Sequence, residues 1–424
     1  MIISYESYGC TMNHGEARLA AQMLLDMGID VKGPVDGRAH PSADIVLLFT
    51  CDVIETTERR MWRRMAELSA EGKDMFIAGC LASIEPEAIK SKYPRARIFG
   101  SMGTAELMSS VRQAFGDRAS LSIDHKEAPP DRLDTIVPIS TGCLGSCTYC
   151  ITREARGALG SYHVESILRM IRKGAEAGRK EVLLTSQDTG AYGADTGGED
   201  LGGLLREITG NVEEDIRIRV GMMNPVHLKK RLGSILRGFD DPMVFKFFHI
   251  PVQSGSDEVL RAMGRGYSVD DVRRIISTIR QRFPSATIST DVIVAFPGER
   301  DEDHLGTISL LEEMRPDVLN ITRFSSRTGT PAALMENKVK GGEMKRRSRE
   351  ISKLHRSLTA GRLKERLGFH RGCLVTEIGR KGTMMARDEN YTPIVFKGGP
   401  ELLGTYMDIR SDDRGPTYLI GSRI

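Results

Sequence analysis

The sequence predicts an α/β protein in three parts: an open parallel sheet, a six-stranded partial barrel of strand–helix repeats, and a small all-β barrel. Three observations carry this expectation. Over about residues 1–125, apolar runs such as Ile45–Thr50 alternate with stretches of helical period, and the runs read as strands buried on both faces. Over about residues 132–366, strand then helix recurs six times. From about 367 to 424 the helical period vanishes, and short strands split by glycines and charged turns remain.

The first part places three cysteines alike. Cys10 ends a short strand that runs into Gly9, and a helix follows with Ala17, Leu19, Ala20, Met23, Leu24 and Met27 at its spacing. Gly28 stops that helix. Cys51 follows Ile45–Thr50, with a helix expected over 55–70. Cys80 follows a strand at 75–79, with a helix expected near 85–92. A lone cysteine after a strand is often a small core hydrophobe. Three at equivalent strand ends are different, because ligands of open parallel sheets collect at the carboxyl edge. The topology brings Cys10, Cys51 and Cys80 together as three thiolate ligands.

The second part opens on Thr141-Gly142-Cys143-Leu144-Gly145-Ser146-Cys147-Thr148-Tyr149-Cys150. Cys143, Cys147 and Cys150 have the spacing C-x3-C-x2-C. Three thiolates hold three irons of a [4Fe–4S] cluster and leave the fourth iron open to a substrate. The competing site is zinc, which takes four ligands, often as two C-x2-C pairs. No fourth cysteine or histidine lies near this loop. Strands are expected at 135–139, 181–185, 216–220, 244–250, 286–295 and 318–324, with helices at 163–177, 201–209, 227–236, 269–282 and 303–314. Polar segments follow the second, fourth, fifth and sixth strands, at 185–193, 249–256, 291–299 and 324–331. Each alone is an ordinary turn. Together they rim one pocket, as reactive groups do at the strand C-termini of barrels.

From Lys338 to Arg366 there are eleven Lys/Arg against three Asp/Glu, on one expected helix after Gly341-Gly342. A charged helix is usually a solvated face, but this excess suits a phosphate backbone. Five strands follow, and Cys373 on the first of them is expected to serve packing.

These motifs resemble the radical S-adenosylmethionine (SAM) methylthiotransferases, in domain order and over essentially the whole chain. The C-x3-C-x2-C loop with Tyr149 resembles the radical-SAM signature. Gly9-Cys10-Thr11-Met12-Asn13, Thr50-Cys51 and Gly79-Cys80 resemble the three cysteine motifs of the N-terminal domain, with Phe49 where the family more often has Asn. The resemblance implies a flavodoxin-like N-terminal domain (1–125), a radical-SAM core of partial (β/α)6 form with its basic helix (132–366), and a TRAM RNA-binding barrel (367–424). It implies two [4Fe–4S] clusters, one on Cys143, Cys147 and Cys150 and a sulfur-bearing one on Cys10, Cys51 and Cys80. It also implies SAM, with Gln187, Gln253, Ser254 and Asp291 as candidates for its polar groups and Arg265 for its carboxylate.

Within the family, Arg153 replaces a proline common in bacterial members, while Arg156-Gly157 remain. That form and Gln187-Asp188-Thr189-Gly190-Ala191-Tyr192-Gly193 are similar to the archaeal and eukaryotic branch. The branch modifies tRNA at adenosine 37 of the anticodon loop, adding a methylthio group at C2 of N6-threonylcarbamoyladenosine. The alternatives are isopentenyladenosine in tRNA, a ribosomal-protein aspartate, or a non-catalytic Fe–S protein that binds RNA or senses. An adenine C2–H is neither acidic nor a leaving group, so radical abstraction suits it better than acid–base catalysis.

Composition limits the setting. Net charge is only +3, so nucleic-acid affinity must come from local patches. An odd seven cysteines without secretory features argue against a disulfide framework and for a reducing cytoplasm. No signal peptide or membrane-length apolar stretch is expected. Neither the sulfur donor nor the electron donor can be read from the residues.

Overall fold

The computed structural model describes residues 2–52, 55–101 and 133–424. The expected boundaries near residues 125 and 132 lie outside them. The described residues form two compact units, one holding 2–101 with 141–144 and 150–160, the other 133–140, 145–149 and 161–424.

The first unit is a parallel sheet of order β2-β1-β3-β4-β5, with β1 (Ile3–Ser7), β2 (Val31–Lys32), β3 (Ile45–Thr50), β4 (Asp74–Gly79) and β5 (Arg97–Gly100). Helices α1 (Thr11–Asp26), α2 (Glu55–Ala70), α3 (Cys80–Ile84) and α4 (Pro86–Lys92) connect them. Strand β3 is buried along its whole length, and the alternation of side chains explains how. Ile45, Leu47 and Phe49 pack with Ala17, Ala20 and Leu24 of α1. Val46 and Leu48 pack with Met61, Met65 and Leu68 of α2. Both faces are thus covered, which leaves the strand ends as the open edge. Where one helix was expected near 85–92 there are two, because Pro86 starts a new first turn and Cys80 itself heads α3. The short helix α5 (Thr152–Arg156) also belongs to this unit.

The second unit contains six parallel strands in two hydrogen-bonded trios. Strands β6 (Asp134–Pro138), β9 (Glu181–Thr185) and β10 (Arg217–Val220) form one; β11 (Phe247–His249), β12 (Thr287–Val294) and β13 (Val318–Arg323) form the other. Isolated parallel bridges Ile218–Val244 and Met222–His249 join β10 to β11. The short pieces β7 (Ser140–Thr141) and β8 (Gly160–Ser161) pair apart from these. Helices α6 (Val164–Glu176), α7 (Leu201–Asn211), α8 (Pro225–Gly238), α9 (Asp257–Ala262), α10 (Val269–Arg282) and α11 (Asp301–Met314) complete the repeats. Strand β11 is shorter than the expected 244–250. The Lys246 amide is diverted to the Glu389 carbonyl at 2.8 Å, and Pro251 carries no amide to extend the ladder.

Helix α12 (Gly341–Glu365) leads into a closed barrel of order β14-β15-β16-β18-β17. Its strands are β14 (Gly368–Ile378), β15 (Thr383–Arg387), β16 (Pro393–Lys397), β17 (Tyr406–Arg414) and β18 (Leu419–Arg423). Cys373 is fully buried in its core with Val375, Ile394 and Phe396. No helix among the described residues is long and apolar enough to cross a membrane.

Candidate functional site

Three strand ends of the first unit converge. Cys10 stands at the N-cap of α1, Cys51 follows β3, and Cys80 follows β4; Cys10 is exposed and the other two are buried. Two glycines permit the approach. Gly9 has φ +97°, and a Cβ there would lie 2.7 Å from the Cys51 Sγ. Gly79 has φ +94°, and a Cβ there would lie 2.3 Å from the Thr50 carbonyl. Both need the left-handed region and the missing side chain. Asn13 clips the edge, donating from Nδ2 to the Tyr8 and Thr50 carbonyls at 2.8 and 2.9 Å.

Arg156, at the end of α5, reaches this same edge. Its Nη1 and Nη2 meet Glu16 Oε1 and Oε2 at 2.6 and 3.0 Å, and Nη2 also donates to Asn13 Oδ1. It lies against Cys80. Burial pushes the Cys80 thiol up to about 11, Cys10 and Cys51 add to that shift, and the Arg156 charge and hydrogen bond oppose it. Among the described residues no three His, Cys, Asp or Glu side chains close on one ion-sized position. A cubane does not ask for that, since each thiolate binds a different iron. Three thiols with a fixed cation beside them fit a cluster's donor set.

The radical-loop cysteines are half-buried. Cys143 and Cys150 fall in the first unit and Cys147 in the second. Gly142, at φ +71°, passes so close to Ala158 that a Cβ would sit 1.9 Å from its carbonyl oxygen. The Cys143 amide donates to the Gly157 carbonyl at 3.2 Å. The Cys150 Sγ meets the Thr152 hydroxyl at 3.0 Å. In the second unit, the Thr148 amide and hydroxyl donate to the Met263 and Ala262 carbonyls. Tyr149 sets its ring edge-on to Phe296.

The SAM candidates lie along the carboxyl ends of the core strands in different states. Gln187, two residues past β9, has a buried Oε1 that accepts no hydrogen bond among the described residues. That orphan acceptor fits a ligand donor such as an ammonium or amino group. Gln253 is held at φ +67° by main-chain bonds to Asp291 and Ile293. Asp291 Oδ2 meets His249 Nε2 at 2.6 Å, and its Oδ1 accepts from Asn320 Nδ2 at 2.7 Å. Burial works against this carboxylate, but the His249 and Asn320 hydrogen bonds hold its pKa below the ordinary value. Ser254 turns inward, with only 1 % of its surface exposed and its Oγ between Thr307 and the Ser256 amide. Arg265 is directed to Cys147 Sγ (3.2 Å), Tyr267 Oη (3.0 Å) and Asn224 Oδ1 (3.1 Å).

Sequence reasoning missed several partners. Buried Asp188 takes hydrogen bonds from the Gly190 and Asn224 amides and meets His227 Nδ1 at 2.7 Å, tying the β9 and β10 loops together. His249 was visible only as the start of the polar segment after the fourth strand, and Asn320 only as a position inside the sixth. Arg156 stood out as a branch marker, and nothing in its neighbourhood signalled Glu16.

Residues 137–311 match the radical SAM superfamily model, and residues 3–100 match "Uncharacterized protein family UPF0004". The chain is 36 % identical to a probable threonylcarbamoyladenosine tRNA methylthiotransferase of Archaeoglobus fulgidus, covering 99 % of this chain and 98 % of that protein. It is 31 % identical to the threonylcarbamoyladenosine tRNA methylthiotransferase of Xenopus laevis, covering 99 % and 76 %. The radical SAM methyltransferase TsrM of Kitasatospora setae, solved with tryptophan and a SAM analogue, shares the fold at TM-score 0.54 and 13 % identity, over 78 % of this chain and 75 % of that one. The chain thus belongs to the threonylcarbamoyladenosine tRNA methylthiotransferases, within the radical SAM superfamily.

Proposed function

We propose that this chain transfers a methylthio group to C2 of N6-threonylcarbamoyladenosine at position 37 of tRNA, using SAM and two [4Fe–4S] clusters. The observation that carries the reading is the convergence of Cys10, Cys51 and Cys80 on one sheet edge, in a chain that also bears the Cys143, Cys147, Cys150 loop. One cluster and SAM suffice for radical formation; a second thiolate set suits a store of sulfur. Bound at the loop, cluster and SAM supply one-electron chemistry able to break an unactivated C–H bond.

The chain's own residues bind and orient. Cys143, Cys147 and Cys150 would hold one cluster and Cys10, Cys51 and Cys80 the other. Gln187 offers its unpaired oxygen to SAM. Asp291 presents a carboxylate whose direction His249 and Asn320 fix. Arg265 sets a guanidinium against Cys147 and supplies positive charge at that thiolate. The C-terminal barrel and α12 are the RNA-binding parts, in a cytoplasmic protein.

The test is nucleoside mass analysis. Anaerobically reconstituted protein, SAM, sulfide and a reductant are given tRNA carrying threonylcarbamoyladenosine, and that nucleoside gains one methylthio group. A gain on isopentenyladenosine tRNA or a ribosomal-protein aspartate instead would reassign the substrate. No gain on any of them, with two clusters loaded, would turn the reading to an Fe–S sensor or RNA-binding protein.

A further inference from the structure

The sequence shows a positive excess on α12 without saying where it points. The structure divides it into two sets. Arg346, Arg347, Arg362 and Arg366 are neutralised within the unit. Arg347 bonds Glu299, Asp301 and Glu343 at 2.7–2.9 Å, Arg346 bonds Glu343 and Glu350, and Arg362 and Arg366 bond Asp317. All three acids of the segment are engaged this way, Glu365 pairing with Arg315 and Arg362.

The second set is Lys345, Arg349, Lys353, Arg356 and Lys364. All five are exposed, and among the described residues none is within ion-pair distance of a carboxylate. Their spacings of four, four, three and eight residues put them on one helix face, within an arc of about 100° at 3.6 residues per turn. The stripe runs about 28 Å at 1.5 Å per residue. Its ends are informative. The first turns are tied by Arg347 to Glu299 and Asp301, just past the carboxyl end of β12, on the rim with the SAM candidates. At the last turn Leu363 enters the barrel core. The free cations therefore join the reactive rim to the barrel along one line.

We propose that this stripe holds the sugar–phosphate backbone of the tRNA between the barrel and the rim. The proposal rests on the tRNA reading above and deepens it. The paired arginines fasten the helix; the unpaired five give it its ligand. A row of unneutralised cations on one helix face matches a polyanion whose charges also repeat along a line, and each phosphate contact releases condensed counterions.

The test uses the full-length protein and unmodified tRNA, with affinity measured against potassium chloride concentration. The triple variant Arg349→Gln, Lys353→Gln, Arg356→Gln is compared with the parent, and a second variant, Lys345→Glu with Lys364→Glu, probes the ends. Thermal melts check that both fold. The expected result is a salt-dependence slope shallower by about 2 for the triple variant, from about 0.7–0.9 per lost phosphate contact. Affinity should fall at least tenfold at low salt, and in turnover with tRNA carrying threonylcarbamoyladenosine KM should rise while kcat at saturating tRNA is kept. A folded triple variant with the parent's slope and affinity overturns the stripe but leaves the function reading intact. A parent that binds no tRNA overturns both.

Discussion

Arg156 and Glu16 form a buried two-point ion pair, 140 residues apart in sequence, against the edge that carries Cys10, Cys51 and Cys80. Both side chains are almost wholly out of water. Removing one partner leaves the other charge buried and alone, which costs about 3–5 kcal/mol. Arg156→Gln should therefore destabilise the protein strongly in denaturant melts, and Arg156→Gln combined with Glu16→Gln should recover much of the loss. If the single variant melts like the parent, the pair is not the clasp of this edge.

The two cysteine sets should separate by phenotype. Cys→Ala at Cys143, Cys147 or Cys150 is expected to abolish reductive SAM cleavage. Cys→Ala at Cys10, Cys51 or Cys80 should leave cleavage measurable, stop methylthio transfer, and cut bound iron by about half, since each cluster holds four irons. Iron analysis and 5′-deoxyadenosine yield distinguish these outcomes. Normal thiolation by a Cys51→Ala protein would contradict the two-cluster reading.

Asp291 offers a third check. Its carboxylate is held by His249 and Asn320, and a hydrogen bond to a charged group is worth about 1.5–3 kcal/mol. Asp291→Asn should weaken SAM binding by roughly 10- to 100-fold on that scale. Equilibrium binding of SAM to cluster-loaded protein measures this directly. Because the folded pKa is lowered, the stabilisation from this carboxylate is present above the unfolded pKa and disappears only as pH falls through the folded value. SAM affinity should accordingly show no Asp291 titration between pH 6 and 8.

Lys246 gives a prediction of opposite sign. Burial pushes its ammonium down to about 8, although Nζ donates to the Asp241 and Val244 carbonyls at 2.8 Å. Folding thus disfavours the charged form relative to the unfolded chain. The penalty is complete below pH 8 and is relieved as pH rises from there toward the unfolded value near 10.5. The Tm of the parent should rise relative to that of Lys246→Met between pH 8 and 10. A constant difference across that range would remove Lys246 as its source.

Local signals were legible and long-range pairings were not. The limits of β9 and α10 follow from local chemistry; Ser268 and Asp271 form a capping box that starts α10 where the apolar period begins. The strand-end placement of three cysteines was legible because topology puts equivalent positions on one edge. The shortening of β11 was not, since it depends on Glu389 of the barrel. Nor were Glu16 opposite Arg156 or His249 against Asp291, because only the finished fold brings such residues together. Counting charges on α12 likewise left open which arginines were already neutralised.

The joint between barrel and core has a mechanical consequence. Tyr391 donates to Glu181 on β9, and Arg366 bonds both Thr287 on β12 and Thr392 of the barrel. The Lys246 amide bonds the Glu389 carbonyl, and Arg219 lies over the rings of Phe247 and Tyr391. Side-chain and main-chain bonds thus fasten the barrel to several strands of the core. On the proposed reading, a polymer gripped by α12 and the barrel is then presented at a fixed reach from the strand-end rim, as on a ruler with both ends clamped. Selection of one position along the nucleic acid would then be a matter of length, set by the frame before any base is inspected.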